Sequence, residues 1–172
     1  MDGDERREEI IKMLSSASKP LSGGSLGKSL NVSRQVIVQD VALLRAQGLD
    51  IIATARGYVL YKKIDNIKQR VILVKHNFDQ ISDELNTIVD FGGLVRNVLI
   101  DHSVYGEMAG NMMLKTRHDV ERFVEDISKV DIQPLMNLTH GIHMHTIEAS
   151  SEEILDEIER SLDEKGYLYK EE

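Results

Sequence analysis

The chain has 172 residues, enough for two small domains, and its 41% hydrophobic content can supply a core for each. It has no cysteine, which excludes disulfides and thiolate metal sites, and no tryptophan, so its cores must be largely aliphatic. The net charge of -8 argues against nucleic acid if taken whole, yet it divides unevenly: residues 1–63 carry ten Lys/Arg against seven Asp/Glu, residues 64–172 eleven against twenty-two. The first part can meet phosphate; the second cannot do so readily. No apolar run approaches the ~18 residues of a membrane span, and the opening Met-Asp-Gly-Asp-Glu has no signal-peptide pattern. A soluble, cytoplasmic protein with no membrane partner is expected.

In chain order, Ile10, Ile11 and Leu14 at helical spacing predict a helix over Arg6–Ser16, ended by Lys19-Pro20. Ser22 is an N-cap candidate for a short helix, Gly23–Leu30, with Leu26 and Leu30 inward. Asn31-Val32 is a turn. Ser33 caps a third helix, about Arg34–Gln47, whose buried stripe is Val36, Ile37, Val41 and Leu44. A hairpin follows, with strands at Leu49–Ile52 and Tyr58–Tyr61 and a turn over Ala53–Gly57. Three helices and a hairpin in this order make a winged helix-turn-helix over residues 1–63, with the linker at Lys62–Asn66.

Residues 64–172 alternate strand and helix: strands at Arg70–His76, Val95–Asp101, Glu107–Leu114 and His143–Glu148, helices at Phe78–Phe91, Arg117–Val130 and Ser151–Lys165. The first of these helices turns Phe78, Ile81, Leu85 and Ile88 to one side. Helices on one face of a mainly antiparallel sheet are expected, so the fold class is α+β throughout.

The helix-turn-helix carries the first functional signal. Its second helix presents its N-terminus to the major groove, and Ser33, Arg34, Gln35 and Gln39 lie there. Arg suits guanine and Gln suits adenine, while Ser33 can reach a phosphate. Arg45 lies further along, and Arg56 at the hairpin tip can enter a minor groove. A trihelical unit used only for protein contact is the plainer alternative.

The second signal is histidine. His143 and His145, two apart on a strand, project from one face and can chelate one ion. His76 shares a face with Ile72 and Val74. Glu84 borders the buried stripe of the next helix, where a carboxylate wants a partner. These four can converge as three nitrogens and one carboxylate, a set that suits Zn, Ni, Fe or Mn. His102 ends a neighbouring strand and can line the same cleft; His118 and His140 read as solvent-facing or structural.

The first 60 residues resemble the winged helix of bacterial biotin repressors, through Ser25-Leu26-Gly27-Lys28-Ser29-Leu30-Asn31-Val32-Ser33-Arg34, Val41-x-x-Leu44-Arg45-x-x-Gly48 and Arg56-Gly57-Tyr58. The second part is similar to the three-histidine domain of the niacin-responsive repressors, the NiaR family. His76, Asp101-His102-x-Val104-Tyr105-Gly106 and Leu138-Thr139-x-Gly141-x-His143-x-His145-Thr146 carry that likeness. Ser103 departs from it, standing where the family pattern has proline.

The resemblance implies a dimeric repressor of niacin-uptake and NAD-synthesis genes that binds operator DNA with nicotinic acid as co-repressor. It implies a sensor domain with an HPr-like α+β sandwich fold and a divalent metal on His76, Glu84, His143 and His145. His102, Arg96 and Arg117 are then candidates for outer contacts to the effector's carboxylate. Two other readings stand beside it: a metal-responsive regulator in which the ion is itself the signal, and a metal-dependent enzyme fused to a winged helix.

Overall fold

The structure, a computed structural model, describes residues 2–62, 66–129 and 133–171. Backbone contacts divide the chain into two compact units, Met1–Lys63 and Ile64–Glu172.

In the first unit, helices α1 (Gly3–Ser16), α2 (Gly23–Ser29) and α3 (Arg34–Ala46) precede a hairpin of β1 (Ile51–Thr54) and β2 (Gly57–Leu60). Helix α1 starts three residues before the expected Arg6, because Asp2 and Glu5 form a capping box ahead of the apolar periodicity. Ser22 and Ser33 cap α2 and α3 by accepting from the Ser25 and Val36 amides. Ile10, Leu14, Leu26, Ile37, Val41, Leu44 and Ile51 form the core. Gly27 lets α2 and α3 meet: a Cβ there would lie 2.7 Å from the Val32 carbonyl oxygen.

Two features of this unit differ from expectation. Strand β1 begins at Ile51, two residues late, because Leu49 is taken up in ending α3; its amide reaches back to the Leu44 carbonyl in a Schellman closure. The turn is then two residues, Ala55-Arg56, and not five. The stripe of α3 also differs. Val36 is only half-buried, and a carboxylate, Asp40, is buried beside Ile37 and Val41.

In the second unit, strands β3 (Lys68–Lys75), β4 (Leu94–His102), β5 (Gly106–Leu114) and β6 (Ile142–Ala149) form one antiparallel sheet, ordered β3-β6-β4-β5. Helices α4 (Ile81–Asp90), α5 (Arg117–Ser128) and α6 (Glu152–Glu164) pack with Ile72, Val74, Val95 and Ile147 in one core. The unit is α+β. Phe78 does not join that core; it is exposed on a separate 3-10 turn, Phe78–Gln80, where Gln80 accepts from the Asn77 amide and tightens the entry to α4. Helix α5 ends at Ser128, and Val130 lies outside the described residues. A further 3-10 turn, Leu135–Thr139, has no counterpart in the predicted elements.

Candidate functional site

Parity puts His143 and His145 on the helix-facing side of β6. They stand opposite Val74 and Ile72 of β3 in the register, and His76 follows directly after β3. Helix α4 crosses this face and lays Glu84 between them. All four side chains are buried, Glu84 with 1% exposure.

The three imidazoles are held alike. Their Nδ1 atoms lie 2.8 Å from the Asn77 carbonyl oxygen (His76), 2.9 Å from that of Gly141 (His143) and 2.7 Å from that of Asn97 (His145). A carbonyl can only accept, so each ring carries a proton on Nδ1 and turns Nε2 inward. The Nε2 atoms of His76, His145 and His143 stand 2.9, 3.2 and 3.9 Å from the Glu84 carboxylate. Adjacent rings meet edge-on, His76–His143 at 4.7 Å and His143–His145 at 4.9 Å between centroids.

Ligand atoms of His76, Glu84 and His143 all lie within 4.8 Å of one another, which one ion can bridge. Two buried atoms, Glu84 Oε1 and His145 Nε2, have no hydrogen-bond partner. Three nitrogen lone pairs and a carboxylate aimed at one point repel unless a cation lies among them, so the residues fit a divalent ion that accepts N and O donors.

The electrostatics point the same way. With protons in place of an ion on the inward nitrogens, burial would raise the Glu84 carboxyl, but the charge on His145 and the imidazoles facing it hold it well below the usual range. Burial would lower His145, but the Glu84 charge raises it instead. For His143 burial prevails and the ring is held below its ordinary value.

Backbone support is tight. Gly141, at φ +88°, receives the His76 amide and the His143 ring on its carbonyl, and a Cβ there would lie 2.4 Å from the His76 carbonyl oxygen. Beside the four side chains is a cavity of about 210 Å³, lined mainly by Ile81, Leu85, Val98, Met112, Phe123, Ile127, Leu135 and Met136. Its lining includes no Lys or Arg among the described residues.

A family model described as an HTH domain matches residues 6–59, and one described as a 3H domain matches residues 69–171. The chain is 41% identical over 167 residues to the probable transcription repressor NiaR of Thermotoga maritima, covering 97% of this chain and 95% of that one. It is 39% identical over 171 residues to the transcription repressor NadR of Bacillus subtilis, covering 98% and 95%. The chain belongs to the NiaR family. Both relatives are named as transcription repressors and neither as an enzyme, so the enzymatic alternative falls away. The 3H match contains all four convergent side chains, and the HTH match contains α2 and α3.

The other candidate residues lie elsewhere. Arg96 pairs with Glu148 at 3.2 Å, and Arg117 forms a two-pronged pair with Asp90 at 2.6 and 2.5 Å. His102 caps the β4–β5 turn by accepting from the Val104 and Tyr105 amides and stacks on Tyr105. None of the three lines the cavity. On α3, Arg34, Gln35 and Gln39 are exposed. Arg45 donates from Nε to the Ile51 carbonyl at 2.7 Å and lies over the Tyr58 ring, bracing helix to hairpin. Arg56 sits in the two-residue turn, its amide bonded to Thr54 Oγ1.

Three participants went unnoticed in the sequence. Tyr167 packs edge-on against His76, with 5.5 Å between ring centroids, and donates to Asp83 at 2.7 Å. Burial and that bond push its hydroxyl up to about 12. Asp83 also accepts from Lys165. Asn97 supplies the carbonyl for His145 from an irregular stretch of β4. No local periodicity marks any of the three.

Proposed function

We propose that this chain is a transcriptional repressor of niacin-uptake and NAD-synthesis genes, acting in the cytoplasm as a homodimer on operator DNA with nicotinic acid as co-repressor. In this reading His76, Glu84, His143 and His145 hold one divalent transition ion, and α3 reads the DNA through Ser33, Arg34, Gln35 and Gln39, with Arg56 at the wing. The single observation that carries it is the buried meeting of three inward Nε2 atoms and a carboxylate beside an apolar cavity.

The cavity's size and chemistry favour a small ring compound with one polar end. At about 210 Å³ it is smaller than the roughly 300–1,000 Å³ of sites for drug-sized ligands. Apolar side chains clasp the ring, and they offer no cation to a carboxylate. When bound, the ion supplies that positive charge and an open coordination position. The carbonyls of Asn77, Gly141 and Asn97 keep the imidazoles aimed. Two copies on one duplex would set α3 of each into successive major grooves.

The test is fluorescence anisotropy of metal-loaded protein on DNA from its own upstream region, at fixed salt, with and without nicotinic acid. Tightening of tenfold or more, about 1.4 kcal/mol of coupling, is expected. Equal binding with and without nicotinic acid, but lost on chelation, makes the ion itself the signal.

A further inference from the structure

Helix α3 buries Ile37, Asp40, Val41 and Leu44 and turns Gln35, Val38, Gln39 and Ala42 outward. One of these four is out of character. Val38 is a large apolar side chain, 39% exposed, with a glutamine three residues before it and another next to it. Isolated exposed apolar residues are ordinary on protein surfaces. This one, however, stands in the first turns of the helix whose N-terminal part enters the major groove. Leu43, also exposed, lies more than a turn further along and on the other flank of the outward arc. Ala42, one turn after Val38, keeps that side of the helix low, so a base edge can approach closely.

We infer that Val38 reads the 5-methyl group of thymine, and that Gln35 and Gln39 beside it read adenine, so each half-site is centred on A·T pairs. The inference rests on the DNA-binding reading above and adds what that reading leaves open, the base chemistry. The major groove offers an apolar side chain one feature, the thymine methyl, and a carboxamide pairs in two-pronged fashion with adenine N6 and N7. A valine that met only solvent or phosphate would gain nothing from the groove. Packed on a methyl, it removes two apolar surfaces from water.

The test separates the methyl from everything else on the base. Full-length protein and Val38→Ala are titrated on the upstream duplex and on the same duplex made with deoxyuridine for thymidine, which deletes only the methyls. The unaltered protein should lose about fourfold in affinity per methyl contacted. Val38→Ala should bind the thymidine duplex more weakly and show no difference between the two DNAs. Circular dichroism checks the variant's fold, which an exposed Val→Ala change in a helix leaves intact. A thymidine preference that survives in Val38→Ala overturns the inference, as does its absence from the unaltered protein. If the protein binds its upstream duplex no better than an unrelated duplex of equal length, the DNA-binding reading itself fails.

Discussion

Asp40 on α3 and Glu84 on α4 are both buried carboxylates, 2% and 1% exposed, and they are resolved in opposite ways. Asp40 accepts from Arg6 Nε at 2.6 Å and from Arg6 Nη2 and Arg7 Nη1 at 3.2 Å. Permanent cations from α1 meet its charge, and the clamp is finished. Glu84 faces three imidazoles whose other nitrogens are committed to carbonyls, and one of its oxygens has no hydrogen-bond partner. A buried carboxylate needs counter-charge. Where the chain supplies it, the result is a joint between helices; where it supplies more lone pairs, the result is a place for a cation.

That contrast is sharpest in two substitutions. Glu84→Gln keeps the shape and removes the charge. Affinity for Zn, measured by titration calorimetry, should fall more than the roughly 10–100-fold typical of losing an outer support. Asp40→Asn should do the reverse. The melting transition of the first unit should fall by roughly 10 °C, since Arg6 and Arg7 lose their shared partner. Metal affinity should stay as it was. If the two variants behave alike, the distinction between clamp and site collapses.

A smaller effect follows from protonation. In the metal-free site His145 is raised above its ordinary 6.5, through the Glu84 charge winning over burial. A group raised in the folded state contributes stability that is fully present below its unfolded value and lost as pH rises through its folded one. The metal-free protein should therefore lose melting temperature as pH climbs above 6.5. His143, held below 6.5, is already neutral there and does not oppose the trend. Metal binding displaces the same proton, so metal affinity should rise over that window. A melting temperature flat with pH in the chelated protein would mean that His145 does not hold this proton.

The meeting of His76, Glu84, His143 and His145 was legible because each step uses a short period. Two-residue parity set three of them on one face of two strands, and helix phase put Glu84 at the edge of a stripe. Asp40 was not legible, because its partners are 33 and 34 residues away on a helix whose own pattern says nothing of them. The shift of β1 to Ile51 needed the Schellman closure at Leu49, a hydrogen-bond fact hidden behind an apolar residue that reads as strand. The turn Leu135–Thr139, whose Leu135 and Met136 line the cavity, follows no helical or strand period. What the eye can count along the chain predicted faces. What depends on two distant segments meeting did not show.

Asn97 joins two such segments, β4 and β6. It sits where the pairing of β4 with β6 shifts between Val95 and Leu99. Its carbonyl accepts from His145 Nδ1 at 2.7 Å, and its side-chain oxygen accepts from the Thr146 amide at 3.0 Å. The side chain thus takes an amide that the irregular ladder does not pair, and so holds the carbonyl that aims His145. Asn97→Ala keeps the carbonyl but leaves that amide without its acceptor. A lost neutral hydrogen bond of this kind is worth about 0.5–1.5 kcal/mol, so metal affinity should weaken by about two- to tenfold, the smallest change in this series. Asn97→Asp keeps an acceptor oxygen in the same place and should recover most of the loss. If Asn97→Ala binds metal as well as the unaltered protein, the side chain only fills the irregularity in β4, and His145 is aimed by the backbone alone.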